Sequence, residues 1–311
     1  TVQEAAARLM QERSNRLGTM ATLQQQISAT RAQLAQLQNL PTAQRADTGT
    51  AEDVGNKYSG RENPMEDAVD IVYNTDATKQ VLGSTLMLEI DGMGGMGKGA
   101  EAAEFIKNRV PQIYFSEIPM PASGTLDIEA RLKEALQRVN EEIREQGISP
   151  GGAVADVTVI AQEGDKQYAY VAHIGDTETW LVRGGVAYLL TKDQSIVGEL
   201  LSMGAISVRE AGRHPQANVV QGALSGRDDI NVETHAFEVR EGDILISVSD
   251  GVIDPLRYQD QIFHNIDFAQ AKPGGFFVEA VGTGKTAAQI ASDIVSGARV
   301  HADKTEKEKN A

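Results

Sequence analysis

Acidic side chains stand at the ends of apolar runs in this chain. Ser84–Ile90 runs into Asp91 and then into Gly92-Met93-Gly94-Gly95-Met96-Gly97-Lys98-Gly99. Asp243–Ser249 runs into Asp250-Gly251. Glu66 and Asp67 stand just before Ala68–Tyr73, and Asp193 follows Leu190-Thr191-Lys192. A carboxylate at the end of a buried strand is costly unless it is paired or holds a cation. Carboxylates and backbone carbonyls, with no His or Cys among them, make hard-oxygen sites that suit Mg²⁺ or Mn²⁺. Two such ions, roughly 3.5–4 Å apart, could share one acid and activate a water between them. The glycines after Asp91 let the backbone approach a bound group and permit φ > 0. Arg61, near the acids in sequence, could clamp an anionic substrate bidentately, or pair at the surface with Glu62 or Glu66. Spacing alone does not show that the acids converge. A strand, an Asp-Gly turn and a helix with nothing bound also accounts for the Asp91 stretch.

Composition narrows the classes. The chain has 311 residues, 41% of them hydrophobic, enough for one large domain with an appendage. It has no cysteine, which excludes disulfides, thiolate metal sites and a cysteine nucleophile. That fits a reducing, cytoplasmic location. The formal net charge of −15 argues against nucleic acid as a partner, since such binding needs clustered Lys and Arg. No apolar run approaches the roughly 18 residues of a membrane span, and no signal peptide is expected. The first residue is Thr1, so a processed chain or a fragment is expected.

Residues 1–40 are rich in Ala, Gln, Arg and Leu and lack Pro. Met20, Ile27 and Leu34 form one heptad row, and Leu23, Thr30 and Leu37 a second. Together they predict a short coiled-coil helix that associates with itself or with a partner helix. Pro41 stops it, and 41–57 reads as a polar linker. The span 58–311 reads as one domain. Strands are predicted at Ala68–Tyr73, Ser84–Ile90, Ala153–Ala161, Gln167–Ile174, Glu178–Arg183, Val186–Leu190, Ile230–Val239 and Asp243–Val248. Glycine turns at Gly164, Gly175, Gly184 and Gly242 suggest antiparallel hairpins. Helices are predicted at Ala100–Val110, Asp127–Gln146, Ile196–Met203, Ser207–Ala211 and Lys285–Arg299. Clustered strands flanked by helices give an α+β fold with antiparallel sheets.

The order of the acidic segments resembles the metal-dependent Ser/Thr protein phosphatases, the PPM or type 2C family, in their bacterial form. The matching segments are Arg61 with Met65-Glu66-Asp67-Ala68; Asp91-Gly92-Met93-Gly94-Gly95; Ala172-His173-Ile174-Gly175-Asp176; Leu190-Thr191-Lys192-Asp193; Gly204-Ala205-Ile206 with His214-Pro215; and Ser249-Asp250-Gly251. The resemblance implies a sandwich of two antiparallel sheets with helices outside and two Mn²⁺ or Mg²⁺ ions at one end. It implies that Asp91 bridges both ions, that the Gly92 carbonyl binds one and that Asp250 binds the other. Glu66 and Asp67 would bind directly or through waters. Asp193 matches the acid that helps hold a third, weaker ion in many members. Arg61, counted with Asp67 as catalytic, would hold the phosphate, although it sits five residues before Glu66 where the family usually has four. The implied reaction is hydrolysis of phosphoserine or phosphothreonine in a protein substrate by an activated water attacking phosphorus in line.

The chain also departs from the family. Met96 stands where a His often follows the glycines, and Asp193-Gln194 replaces the common Asp-His. Gly152-Ala153-Val154-Ala155 replaces Gly-Thr-Thr, and the last acidic motif with its strand is absent. Truncation before that motif is expected. The alternative to catalysis is a phosphatase-like binding module that associates through its N-terminal helix. Gly282-Thr283-Gly284-Lys285-Thr286 reads as a loop and helix start, since the first glycine of a phosphate loop would fall at Glu279. His173 reads as a packed core residue rather than a ligand, and His214 as a loop residue.

Overall fold

The computed structural model describes residues 48–51, 66–93, 98–122, 126–211, 213–217, 219–258 and 275–309. The chain divides into two units, Thr1–Gln44 and Arg45–Ala311. The first unit, and with it the predicted N-terminal helix, lies outside the described residues. So does most of the predicted linker. Within its described part, the Thr48 hydroxyl meets that of Tyr73.

The strands are β1 (Ala68–Tyr73), β2 (Thr85–Gly92), β3 (Ala153–Glu163), β4 (Lys166–Ile174), β5 (Glu178–Arg183), β6 (Val186–Leu189), β7 (Glu233–Val239) and β8 (Ile244–Val248). They form a five-stranded sheet ordered β1-β2-β3-β4-β7 and a three-stranded sheet ordered β6-β5-β8. Every pairing is antiparallel. The fold is therefore the α+β sandwich of two antiparallel sheets that the sequence suggests.

Alternation decides which side chains meet the helices. Ala68, Leu86, Leu88, Ile90, Ala155, Val157, Val159, Tyr170, Ala172 and Ile174 share the outer face of the larger sheet and one buried core. Two helices cover that face, α1 (Gly99–Gln112) over β1 and β2, and α2 (Ile128–Glu145) over β4 and β7. Ala103, Ile106 and Val110 of α1 are buried there, as are Leu132, Leu136, Val139 and Ile143 of α2. Asp127 caps α2 by accepting the Ala130 N–H, and Gly147 ends it at φ 69°. A second core joins Trp180, Val182, Ile246 and Val248 to Ile253, Leu256, Phe277, Ile290 and Ile294. The last five lie on α5 (Asp250–Tyr258), α6 (Phe276–Val281) and α7 (Ala287–Lys309). Two short helices, α3 (Ile196–Ser202) and α4 (Val208–Ala211), lie between β6 and β7.

With the apolar cores on the outer faces, the layer between the sheets is mixed. Val154, Ile160 and Val171 share it with buried Asp156, Thr158, His173 and Thr179. Strand β3 is buried on both faces from Ala153 to Ala161. Among the described residues, no helix is long and apolar enough to cross a membrane.

Candidate metal centre

The strand pattern brings the end of β2, the starts of β1 and β3, the ends of β4 and β8 and the start of β5 to one end of the sandwich. Asp91 belongs to β2 itself, opposite Val154 of β3, rather than just after the strand as expected. The ladder continues one residue further to Gly92, opposite Ala153. Gly92 N–H donates to the Glu66 carbonyl at 3.1 Å, which draws the chain before β1 onto the end of β2. A Cβ on Gly92 would stand 2.4 Å from that carbonyl and 2.6 Å from Gly99. Close backbone approach fixes this glycine. Gly175 differs, for it turns at φ 109° with its Cβ direction blocked by Val154.

The acids meet at this end. Asp91 is influenced directly by Asp250, Asp67 and Asp176. Burial first, and then those charges, raise its carboxyl well above the ordinary value. Asp250 also shares a hydrogen bond with it. Asp176 is raised well above the ordinary value too, by burial and then by Asp250, Asp193 and Asp254. Asp67 is tied across the sandwich, where Ser249 Oγ donates to its Oδ2 at 3.1 Å. Asp193 is buried and accepts the Ser195 N–H at 2.8 Å. That bond sets the turn into α3, which Ser195 caps by accepting the Gly198 N–H.

Of the residues singled out from sequence, Asp67, Asp91 and Asp250 are thus brought together, and Asp193 joins through Asp176. Glu66 arrives through its backbone carbonyl. Arg61 and Met96 lie outside the described residues. Asp176 was read from sequence only as part of a matching segment and a turn. Its signal was the same as for the others, an acid closing an apolar strand. Asp254, one turn of α5 beyond Asp250, had no such signal.

The donors are oxygens alone, carboxylates with backbone carbonyls nearby. Burial, and then the neighbouring acids, raise Asp91 and Asp176 well above the ordinary carboxyl range, and a divalent cation would compensate that negative charge. The set therefore fits Mg²⁺ or Mn²⁺. Among the described residues, no three His, Cys, Asp or Glu side chains already enclose a point where an ion would sit.

A sequence model of the family described as Protein phosphatase 2C matches residues 51–199. Protein phosphatase PhpP of Streptococcus pneumoniae is 30% identical over 174 residues, covering 55% of this chain and 68% of its own length. The fold is shared with the S. agalactiae serine/threonine phosphatase, with a TM-score of 0.62 and 23% identity over 81% of this chain and 93% of that one. It is shared as well with the catalytic domain of serine threonine protein phosphatase PstP in complex with two manganese ions. There the TM-score is 0.55 and identity 23%, over 83% and 90% of the two chains.

Proposed function

The chain belongs to the protein phosphatase 2C family, and from that premise we propose that it hydrolyses phosphoserine or phosphothreonine in proteins with the help of Mn²⁺ or Mg²⁺. The observation that carries this reading is the meeting of Asp91 with Asp67, Asp176 and Asp250 at one end of the sandwich. The relatives' names favour catalysis over the non-catalytic module.

In this proposal Asp91, with the Gly92 carbonyl and Asp250, holds two ions, and Glu66 and Asp67 complete the set directly or through water. When bound, such ions polarise phosphoryl oxygens and lower the pKa of an attacking water. Asp91 and Asp250 contribute fixed negative charge that keeps the ions in place. Asp67, oriented by Ser249, is suited to accept a proton from that water. Asp193 stands with Asp176, which suits a third, weaker ion. Arg61 is assigned to the phosphate on the family pattern. Self-association through residues 1–40 is a separate proposal, checked by sedimentation with and without that segment.

Hydrolysis of p-nitrophenyl phosphate and of a phosphothreonine peptide with Mn²⁺ tests the reading. Replacing Asp91 with Asn should lower kcat/KM by more than about 100-fold, since even loss of an outer-shell partner costs 10–100-fold. Failure of the unsubstituted chain to hydrolyse either compound with any divalent ion would count against the assignment.

A further inference from the structure

The layer between the sheets contains a chain of buried polar groups that the proposed reaction does not use. His173 on β4 bonds through Nδ1 to Asp156 Oδ1 on β3 and through Nε2 to the Lys192 carbonyl at 2.9 Å. Thr179 Oγ1 on β5 donates to the other Asp156 oxygen at 2.8 Å, and meets Ser247 Oγ on β8 at 2.8 Å. His173, Asp156 and Thr179 are all buried.

Donor bookkeeping gives this chain a direction. A carbonyl only accepts, so His173 Nε2 carries a proton. Asp156 accepts the Thr179 hydroxyl proton at Oδ2, and its Oδ1 faces His173 Nδ1. Thr179 has then spent its proton, and Ser247 must donate to Thr179. The order is Ser247 to Thr179 to Asp156, with His173 joining Asp156 to the Lys192 carbonyl. His173 and Asp156 thus satisfy each other's hydrogen bonds inside the sandwich.

The two ends of the chain are what matter. Lys192 immediately precedes Asp193. Ser247 lies on the strand whose continuation carries Ser249 and Asp250. His173 is the penultimate residue of β4, shortly before Gly175 and Asp176. We infer that His173 and Asp156, with Thr179 and Ser247, are positioning residues that fix the spacing of Asp176, Asp193 and Asp250. They join the segments bearing these acids from inside the sandwich, where loops cannot adjust them. This rests on the metal-centre reading above, and adds to it a set of residues that touch neither ion nor substrate.

The test is Mn²⁺ binding by calorimetry, together with kcat and KM, on the full chain. The variants are His173→Ala, His173→Asn and the milder Thr179→Val, which cuts the bonds to Asp156 and Ser247 but leaves His173 bonded to Asp156 and Lys192. Thermal melts in chelator confirm that each variant is folded. His173→Ala and Thr179→Val should weaken Mn²⁺ binding by about 10- to 100-fold, the range for outer-shell partners. The loss should appear in the Mn²⁺ requirement and kcat more than in KM. His173→Asn, which retains one donor toward Lys192 or Asp156, should recover part of it. If His173→Ala does not fold, Thr179→Val alone decides. Lower melting temperatures with unchanged Mn²⁺ affinity would overturn the inference, because a merely structural role predicts that result. No Mn²⁺ binding by the unsubstituted chain would overturn both this inference and the reading beneath it. Binding by the unsubstituted chain, with equal binding by the variants, would overturn this inference alone.

Discussion

Gln194 holds Gly175 from two sides. Its backbone N–H donates to the Gly175 carbonyl at 2.8 Å, and its side-chain oxygen accepts the Gly175 N–H at 3.0 Å. Gln194 follows Asp193, and Gly175 precedes Asp176, so the clasp sets these acids side by side. Gln194→Ala leaves a buried N–H without its partner, at about 1–3 kcal/mol. Denaturant melts should register that loss. The Mn²⁺ concentration for half-maximal activity should rise. An unaltered Mn²⁺ requirement would show that the clasp does not govern the acids.

Metal-free chain should lose stability as pH rises. Burial and neighbouring acids raise Asp91 and Asp176 in the folded state, whereas ordinary carboxyls titrate near pH 4. Between those values the folded chain binds more protons than the unfolded chain, so the slope of stability with pH is negative. Calorimetric melts in chelator from about pH 5 upward should show this slope, and Asp91→Asn should flatten it. Saturating Mn²⁺ binds the ionised acids of the folded state and should reverse it. A slope in chelator that Asp91→Asn leaves unchanged would contradict this account.

His173 shifts stability with pH in the same sense. Burial pushes the imidazole down, but Asp156, the Lys192 carbonyl and Glu233 outweigh it and raise the value. Its contribution to stability is full below the unfolded value near 6.5 and is lost as pH rises through the folded one. Nuclear magnetic resonance of the ring protons should give a midpoint above about 6.5 in the folded chain. Asp156→Asn should bring that midpoint down. A midpoint at or below 6.5 in the unsubstituted chain would refute the upward shift.

Asn140 is a stability site outside the acid cluster. On α2, its side-chain oxygen accepts the N–H groups of Ser225 at 3.0 Å and Gly226 at 2.8 Å, and its amide donates to the Arg227 carbonyl at 2.7 Å. The clasped loop continues from Leu224, which exchanges both backbone bonds with Ala153 at the start of β3. Asn140→Ala should cost about 2–4 kcal/mol, because donors are left buried and unpaired. Urea unfolding measures the loss. Asn140→Asp keeps the acceptors and should cost less, and equal losses would show that the acceptor bonds are not the cause.

Strands and long helices were legible because their periods are strong. The α2 stripe of Ile128, Leu132, Leu136, Val139 and Ile143 is buried as its spacing predicts. Of the short elements, α3 and α4 were read and others were not. The 3₁₀ segment Ala77–Leu82 and helices α5 and α6 went unread, since Gly251 and Pro255 interrupt α5 and α6 has only six residues. Lys285 does sit in a loop before α7, paired with Asp293. His173 is buried as read, but amid polar partners rather than apolar ones. The acids at 67, 91 and 250 were visible as strand ends. That they meet depends on strand pairing across the whole domain, which no local pattern encodes. Asp156 was hidden for the same reason, being a lone acid inside an otherwise apolar strand.

The chain does not finish one sheet before starting the other. It leaves the larger sheet after β4, builds β5 and β6 in the smaller one, returns for β7 and crosses again for β8. Neither sheet is therefore a contiguous stretch of chain that could be excised whole. Closing β4 onto β7 and β5 onto β8 requires contacts between residues far apart in sequence, which makes folding slow relative to a helical bundle of similar size. Two of the acids, Asp176 at the β4–β5 crossing and Asp250 at the exit from β8, sit on this interleaved path. Their meeting therefore depends on the pairing of the whole domain rather than on any local hairpin.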